Sequence, residues 1–179
     1  MQEEKTTDVK WYVMRSLFRT ELKTQAKLMA AGIEVFVPTV ERVVVLRGRK
    51  RRVITPVVSN LMFVHSDVET LQPFVESDAR FQYIFVKGGK QNERMVVVDE
   101  DMQRFIQVVE NAEKPLYFNP AELNLENGAR VRIIGGGLDG VKGTFMRVKG
   151  SRSRRLVVVL PDTLAVAVEV QPDLIEVIQ

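Results

Sequence analysis

The sequence has no cysteine, which excludes disulfides and thiolate-ligated metal sites. It has one histidine, His65, with no cysteine and no second histidine to complete a metal or nucleophile site. At the end of an apolar run, His65 reads as structural. No stretch approaches the ~18 consecutive apolar residues of a membrane span, and the polar start MQEEKTTDVK lacks the apolar core of a signal peptide. A cytoplasmic location is therefore the default expectation. Charge of one sign is scarce too. With 26 basic and 23 acidic side chains the net charge is +3, too weak by itself to imply nucleic acid. What remains is an ordinary globular balance, 45% hydrophobic and 27% charged over 179 residues, enough for one large domain or two small ones.

In chain order, residues 9–15 (VKWYVMR) read as a strand. Residues 19–31 read as an amphipathic helix with Leu22, Ala26, Met29 and Ala30 on one face, closed by Gly32. Ile33 to Val37 is a short apolar run ending at Pro38, consistent with a strand. VERVVVLRGRKRRVITPVV follows, a long hairpin whose tip holds five cations in the six residues Arg47 to Arg52. NLMFVH at 60–65 is apolar almost throughout, the pattern of a strand buried on both faces. Asp67 can cap a helix carrying Val68, Leu71 and Val75, which Pro73 is expected to shorten. Strands at 82–86 and 95–98 precede a helix starting at Asp99, with Met102, Phe105, Ile106 and Val109 on one face. This alternation of strands and helices assigns residues 1–110 to one mixed domain.

Composition changes at Glu110. The following stretch has two prolines, several asparagines and no periodicity, so residues 111–124 read as a linker. Beyond it only short strands are expected, at 130–134, 144–149, 155–160, 164–170 and 174–178, which make a small barrel or sandwich over residues 125–179. The first two flank GGGLDGVKG, whose glycines supply the positive φ angles of a strongly bent hairpin.

These pieces, in this order, resemble the NusG family of transcription elongation factors. Gly128–Gly150 resembles the KOW motif. WYVMR at 11–15, the basic hairpin around 47–52 and TPVVSNLMFV at 55–64 resemble the family's N-terminal domain. The Pro56, Asn60, Phe63, Val64 spacing is closer to the specialised RfaH and UpxY antiterminators than to general NusG. The resemblance implies an α+β chain. Its first part is an antiparallel sheet flanked by helices, and its second a small SH3-like five-stranded β-barrel. It also implies a non-enzymatic role. An apolar depression seats on the clamp helices of the largest RNA polymerase subunit and favours elongation over pausing. Carried over by position, the depression includes Tyr12, Leu61, Phe63, Phe85 and Val97, with Leu61 standing where the family has an aromatic. The residue pattern alone puts Phe63 in the core as readily as at an interface.

For the basic tip (Arg47, Arg49, Lys50, Arg51, Arg52) the resemblance implies contact with non-template or upstream DNA; the residues alone also allow a solvated edge protected by charge. A second basic group, Lys149, Arg152, Arg154 and Arg155, reads as a nucleic-acid contact or, at least as readily, as a flexible charged turn. General NusG docks the factor Rho or the ribosomal partner NusE through an aromatic in the loop that here reads LPDTL at 160–164. Pro161 and Asp162 stand where that aromatic is expected, which argues against Rho; of the partners that the resemblance implies for this domain, NusE is left open. No cofactor is expected. Gly135–Gly140 fails as a phosphate loop because Val141 separates Gly140 from Lys142 and a strand follows instead of a helix. The alternative, a ribosome-associated or general RNA-binding KOW protein, fits poorly with so small a net charge and no evident stacking platform.

Overall fold

The computed structural model describes residues 8–179, in two compact units that divide between Val98 and Asp99. In the first unit the elements run β1 (Lys10–Ser16), α1 (Glu21–Ala30), β2 (Glu34–Phe36), β3 (Thr39–Leu46), β4 (Arg49–Pro56), β5 (Leu61–Ser66), α2 (Val68–Ser77), β6 (Phe81–Tyr83) and β7 (Val96–Val97). The main sheet is antiparallel in the order β2-β5-β1-β6, with β7 pairing β1 beyond the end of β6. Alternation sorts the side chains. Tyr12, Met14, Met62, Val64 and Phe81 pack with Leu28 of α1 and Leu71 of α2 into one apolar cluster. Opposite pairing of Trp11 with His65, Val13 with Phe63 and Arg15 with Leu61 puts the alternate residues on the other face.

Two polar details hold this unit in place. Ser16, buried, shares hydroxyl hydrogen bonds of 2.8 Å with both Thr20 and Thr24, fixing the start of α1 against the end of β1. Glu21, also buried, accepts from the backbone N–H of Asn60, whose φ is +65°. Asn60 is therefore a conformational requirement of the turn into β5, a position where asparagine tolerates the left-handed region. Asp67 caps α2 as expected, its Oδ1 accepting from Thr70 N–H at 2.8 Å. Pro73 does not shorten α2, which runs on to Ser77. One missing N–H is outweighed by the apolar face that the helix lays on the sheet, Leu71 with Phe74 and Val75.

The second unit contains α3 (Asp99–Asn111), β8 (Leu116–Phe118), β9 (Ala129–Ile133), β10 (Lys142–Arg147), β11 (Arg154–Leu160), β12 (Leu164–Val168) and β13 (Ile175–Val177). Its sheet is antiparallel in the order β13-β9-β10-β11-β12-β8. The five expected strands are there, and the stretch read as a linker adds a sixth. Leu116 and Phe118 pair opposite Ala167 and Ala165 and pack with Leu123 and Leu125 against Met146, Val148 and Val157. Two small residues on β12 leave room for two large ones on β8, a complement no local period reveals. The division between units also falls earlier than residue 110. α3 buries Met102, Phe105 and Val108 and lies against β11, β12 and the turn at residues 136–138, where Gln107 Nε2 donates to Gly137 O at 3.2 Å.

The glycine hairpin is explained by geometry. Gly135, Gly136 and Gly140 take φ of 86°, 69° and 77°. Gly143 is needed for a different reason, since a Cβ there would stand 2.5 Å from the Val157 carbonyl oxygen on β11.

Candidate functional site

The first unit offers two surfaces to a partner. One is a shallow cavity of about 540 Å³ lined by Val75, Phe81, Tyr83, Ile84 and Phe85, with Arg15 and Lys87 among its polar residues. The chain folds back on itself here. Ile84 N–H donates to Val13 O at 3.1 Å, Met95 N–H to Ile84 O at 2.8 Å, and Phe85 bridges to Arg94. The guanidinium of Arg94 sits 4.7 Å from the centre of the Tyr83 ring, a cation–π contact that fixes this return strand to β6. Burial pushes the Tyr83 phenol up from its usual pKa, partly offset by the Arg94 charge.

Of the five residues expected in an apolar depression, Phe85 alone lines this cavity, and it is 47% exposed. Leu61, Phe63 and Val97 share the sheet face that also carries Trp11 and Val13, with Val97 directly opposite Trp11. All three are buried, Phe63 completely, its ring 6.3 Å from that of Phe36. Phe63 therefore does not present a side chain at the surface, because β5 lies between β1 and β2 and is covered on both faces. Tyr12 faces the opposite way. It belongs to the cluster under α1 and α2, its ring edge-on to Tyr83 at 5.5 Å. Adjacent positions on a strand cannot share a face, so Tyr12 and the Leu61–Phe63 pair never line one groove.

The second surface is the ribbon β3–β4, a two-stranded sheet of its own. All eight residues of each strand are paired, from Thr39 opposite Pro56 to Leu46 opposite Arg49. The turn is Arg47-Gly48, both with positive φ (51° and 74°), the type I′ geometry that matches strand twist. Register separates the charges. Arg42, Arg49 and Arg51 lie on one face, Lys50 and Arg52 on the other. Arg52 pairs with Glu41 at 3.2 Å. Val43, Val45, Leu46 and Ile54 are 52–65% exposed. Arg47, Arg49, Lys50, Arg51 and Arg52 are thus gathered at one exposed end, as the sequence suggests.

The second basic group is divided by the structure. Lys149, Arg152 and Arg154 are exposed, but Arg155 is buried. Its guanidinium donates to Ser151 Oγ (3.0 Å), Lys114 O (3.0 Å) and Glu169 Oε1 (2.8 Å), tying the 111–118 segment to the sheet. Its neighbours in sequence give no sign of this. In β11 a buried arginine sits one position before the apolar run, where only the strand's register could reveal it. The loop between β11 and β12 is tight, with Leu160 opposite Leu164 and Asp162 at φ +56°. Among the described residues no group of three or more histidine, aspartate or glutamate side chains could hold a metal ion, and no helix is long and apolar enough to cross a membrane.

Two antiparallel α+β units in this order have a known counterpart. A solved structure, "Domain interaction in Thermotoga maritima NusG", superposes with a TM-score of 0.50 at 19% identity, covering 96% of this chain and 98% of that one; it shares the fold. The family described as "Transcription termination factor nusG" matches residues 9–125, more than half of the chain. The chain belongs to the NusG family, whose members are transcription factors and not enzymes. No curated protein matches it by sequence.

Proposed function

We propose that this chain binds RNA polymerase through its first unit and acts as an antitermination factor serving particular operons. The observation that supports this is the coexistence, in one small unit, of an exposed aromatic in an apolar cavity and a free-standing basic ribbon. Covering apolar surface gains ~25 cal/mol per Å², and aromatic anchors dominate many interfaces. Phe85, with Ile84 and Tyr83 beside it, is the anchor for the clamp helices of the largest polymerase subunit. The ribbon, whose width suits a nucleic-acid groove, reaches the non-template or upstream DNA with Arg47, Arg49, Lys50, Arg51 and Arg52. Leu61, Phe63 and Val97 are buried in the sheet and line neither surface. The second unit serves as the recruiter of a further partner. Its tight Pro161-Asp162 loop, lacking an aromatic, favours antitermination over Rho recruitment, and a strong pull-down of Rho by the full chain would overturn that step.

The decisive variant is Phe85→Asp. Phe85 is half exposed, so the fold is expected to persist, seen as unchanged Trp11 fluorescence and circular dichroism. Capture of core RNA polymerase should then fall at least about tenfold, the order lost when an interface anchor is removed. Unchanged capture by a folded variant would reject the Phe85 cavity as the docking surface.

A further inference from the structure

We propose that docking on the Phe85 cavity is selected by charge: Arg15 and Lys87 admit a polymerase segment that presents an apolar side chain flanked by carboxylates. This choice of partner rests on the reading of Phe85 as the anchor and adds the rule by which the anchor discriminates. Both cations line the cavity of about 540 Å³, together with Val75, Tyr83, Ile84 and Phe85.

Arg15 stands where folding alone gives a charge nothing to do. β1 is an inner strand, paired on both sides. Its residues Trp11 to Met14 and Ser16 are buried, whereas Arg15 between them is exposed. The cross-strand neighbours of Arg15 are Leu61 on β5, itself buried, and the neutral Gln82 on β6. Neither supplies the planar pair of oxygens that a guanidinium fits. Lys87 follows the half-exposed Phe85 by two residues and precedes the turn at Gly88, whose φ is +74°.

The unit itself supplies no counter-charge. Among the described residues neither Arg15 nor Lys87 takes part in an ion pair, and no carboxylate lines the cavity. The acids nearest the lining residues in sequence are engaged elsewhere. Glu21 is buried and accepts from Asn60 N–H. Glu76 accepts from Gln72 Nε2 at 2.7 Å, and Asp78 from Arg80 Nε at 2.9 Å. Glu93 accepts from the backbone N–H of Lys90 at 3.1 Å. Arg94, a third cation beside the cavity, is already placed on the Tyr83 ring. What is left is an apolar surface with two unanswered cations. A partner that covers Phe85 also takes water from those charges, which is costly unless it brings opposite charge with it. A partner bearing cations at the same points is rejected. On a helix, acids at i and i+7 flank an apolar residue at i+3 or i+4 on one face, so a single amphipathic helix can satisfy the cavity and both cations.

The test uses core RNA polymerase free of nucleic acid and the full chain carrying Arg49→Ala, Lys50→Ala, Arg51→Ala and Arg52→Ala, so that the ribbon's cations do not enter the measurement. Association with immobilised polymerase is followed by biolayer interferometry over a salt series. Adding Arg15→Glu and Lys87→Glu should weaken binding at least about tenfold at low salt, largely through the association rate. The loss should shrink as salt screens the charges. Arg15→Gln with Lys87→Gln should lose less and flatten the salt dependence. Arg15→Lys with Lys87→Arg, which keeps both charges, should recover most of the affinity. Lys23→Glu, exposed on α1 and off the cavity wall, is the control and should bind as its parent does. Unchanged affinity of the reversed or the glutamine pair, in chains with identical circular dichroism and with Phe85→Asp still losing polymerase, would overturn the charge selection and leave the Phe85 reading standing. Unchanged binding by a folded Phe85→Asp chain would instead remove that reading and this proposal together. A loss for Lys23→Glu as large as for Arg15→Glu alone would also overturn it, by reducing the effect to net charge.

Discussion

Two strands of this protein are nearly the same word and live opposite lives. Residues 41–46 read ERVVVL in β3, and residues 154–160 read RRLVVVL in β11. In β3, Val43, Val45 and Leu46 are 63%, 65% and 52% exposed. In β11, the corresponding Val157 is 1% exposed and Leu160 is fully buried. The difference lies in neighbours. β11 has β10 on one side and β12 on the other, with α3 against it. Among the described residues β3 pairs only with β4, and the ribbon's Val43, Val45, Leu46 and Ile54 are left exposed. A run of β-branched residues specifies a pleated strand, and the burial is decided elsewhere in the chain. An aliphatic ribbon left exposed costs hydration free energy, and its density of arginines guards the edges against pairing with other copies. Exposed aliphatics and guarding charge together are what a surface reserved for a partner presents.

Truncating the matched leucines puts the contrast to its strongest test. Leu160→Ala should destabilise the second unit by about 2–5 kcal/mol, the range for a buried leucine. Leu46→Ala should change stability by no more than about 0.5 kcal/mol. Chemical denaturation followed by amide NMR signals from each unit reads both. Similar losses at the two sites would mean that the ribbon is packed in solution and the contrast is false.

Removing the ribbon's charge tests its purpose. The four alanine changes at Arg49, Lys50, Arg51 and Arg52 should weaken non-specific duplex binding by about a hundredfold at low salt. The salt dependence should become shallower by about 0.9 for each phosphate no longer neutralised. Filter binding over a salt series measures this. An unchanged slope would return the ribbon to the status of a guarded edge. The same four changes leave β11 and its sheet untouched, so any effect on the stability of the second unit would expose coupling that the two-unit description lacks.

Most of the fold can be read from period and punctuation. The β3–β4 hairpin, the Asp67 cap and the five strands after residue 129 all follow from local pattern. Three things cannot be read this way, each for a reason. β8 has three residues, too short for any period, and owes its place to the room left by Ala165 and Ala167. Carry-over by position draws the site residues onto one groove, yet Tyr12 lies one residue out of phase with the Leu61–Phe63 face, which the β1–β5 register makes plain. In the sequence Arg155 is one more charge in a basic turn. Its four partners come from positions 114, 151, 167 and 169, gathered only by the closed sheet.

That arginine is itself a means of separating the two basic strand ends. Arg155→Met keeps the apolar stem but leaves Lys114 O without its partner and frees Glu169. The cost should be about 1–3 kcal/mol in the second unit, the range for an orphaned buried polar group. Arg154→Met, one residue away and exposed, should be neutral within about 0.5 kcal/mol. Hydrogen exchange at residues 116–118 should rise for Arg155→Met alone, since its bond to Lys114 O anchors that segment.

Acid gives the smallest effect, confined to one unit. Asp78, just after α2, accepts from the Arg80 backbone N–H and from its guanidinium Nε and Nη2 at 2.9–3.0 Å. These contacts hold its carboxyl down at about 2, below the ordinary 3.8. A folded pKa below the unfolded one stabilises at pH above the unfolded value, and the stabilisation is lost as pH falls through the folded value. The contribution of Asp78 is therefore complete above about pH 5, falls as pH drops through the folded value of about 2 and is gone by about pH 1. Asp78→Asn should lower the denaturation midpoint of the first unit slightly at pH 6 and by much less at pH 2. Because the pair lies at the surface, the shift at pH 6 is small and shrinks further in salt. Trp11, the sole tryptophan, lies in β1, so its fluorescence follows the first unit. Signals from β11 should show no change across the same range. A shift of equal size at pH 2 would assign the effect of Asp78→Asn to altered packing or turn geometry instead of charge.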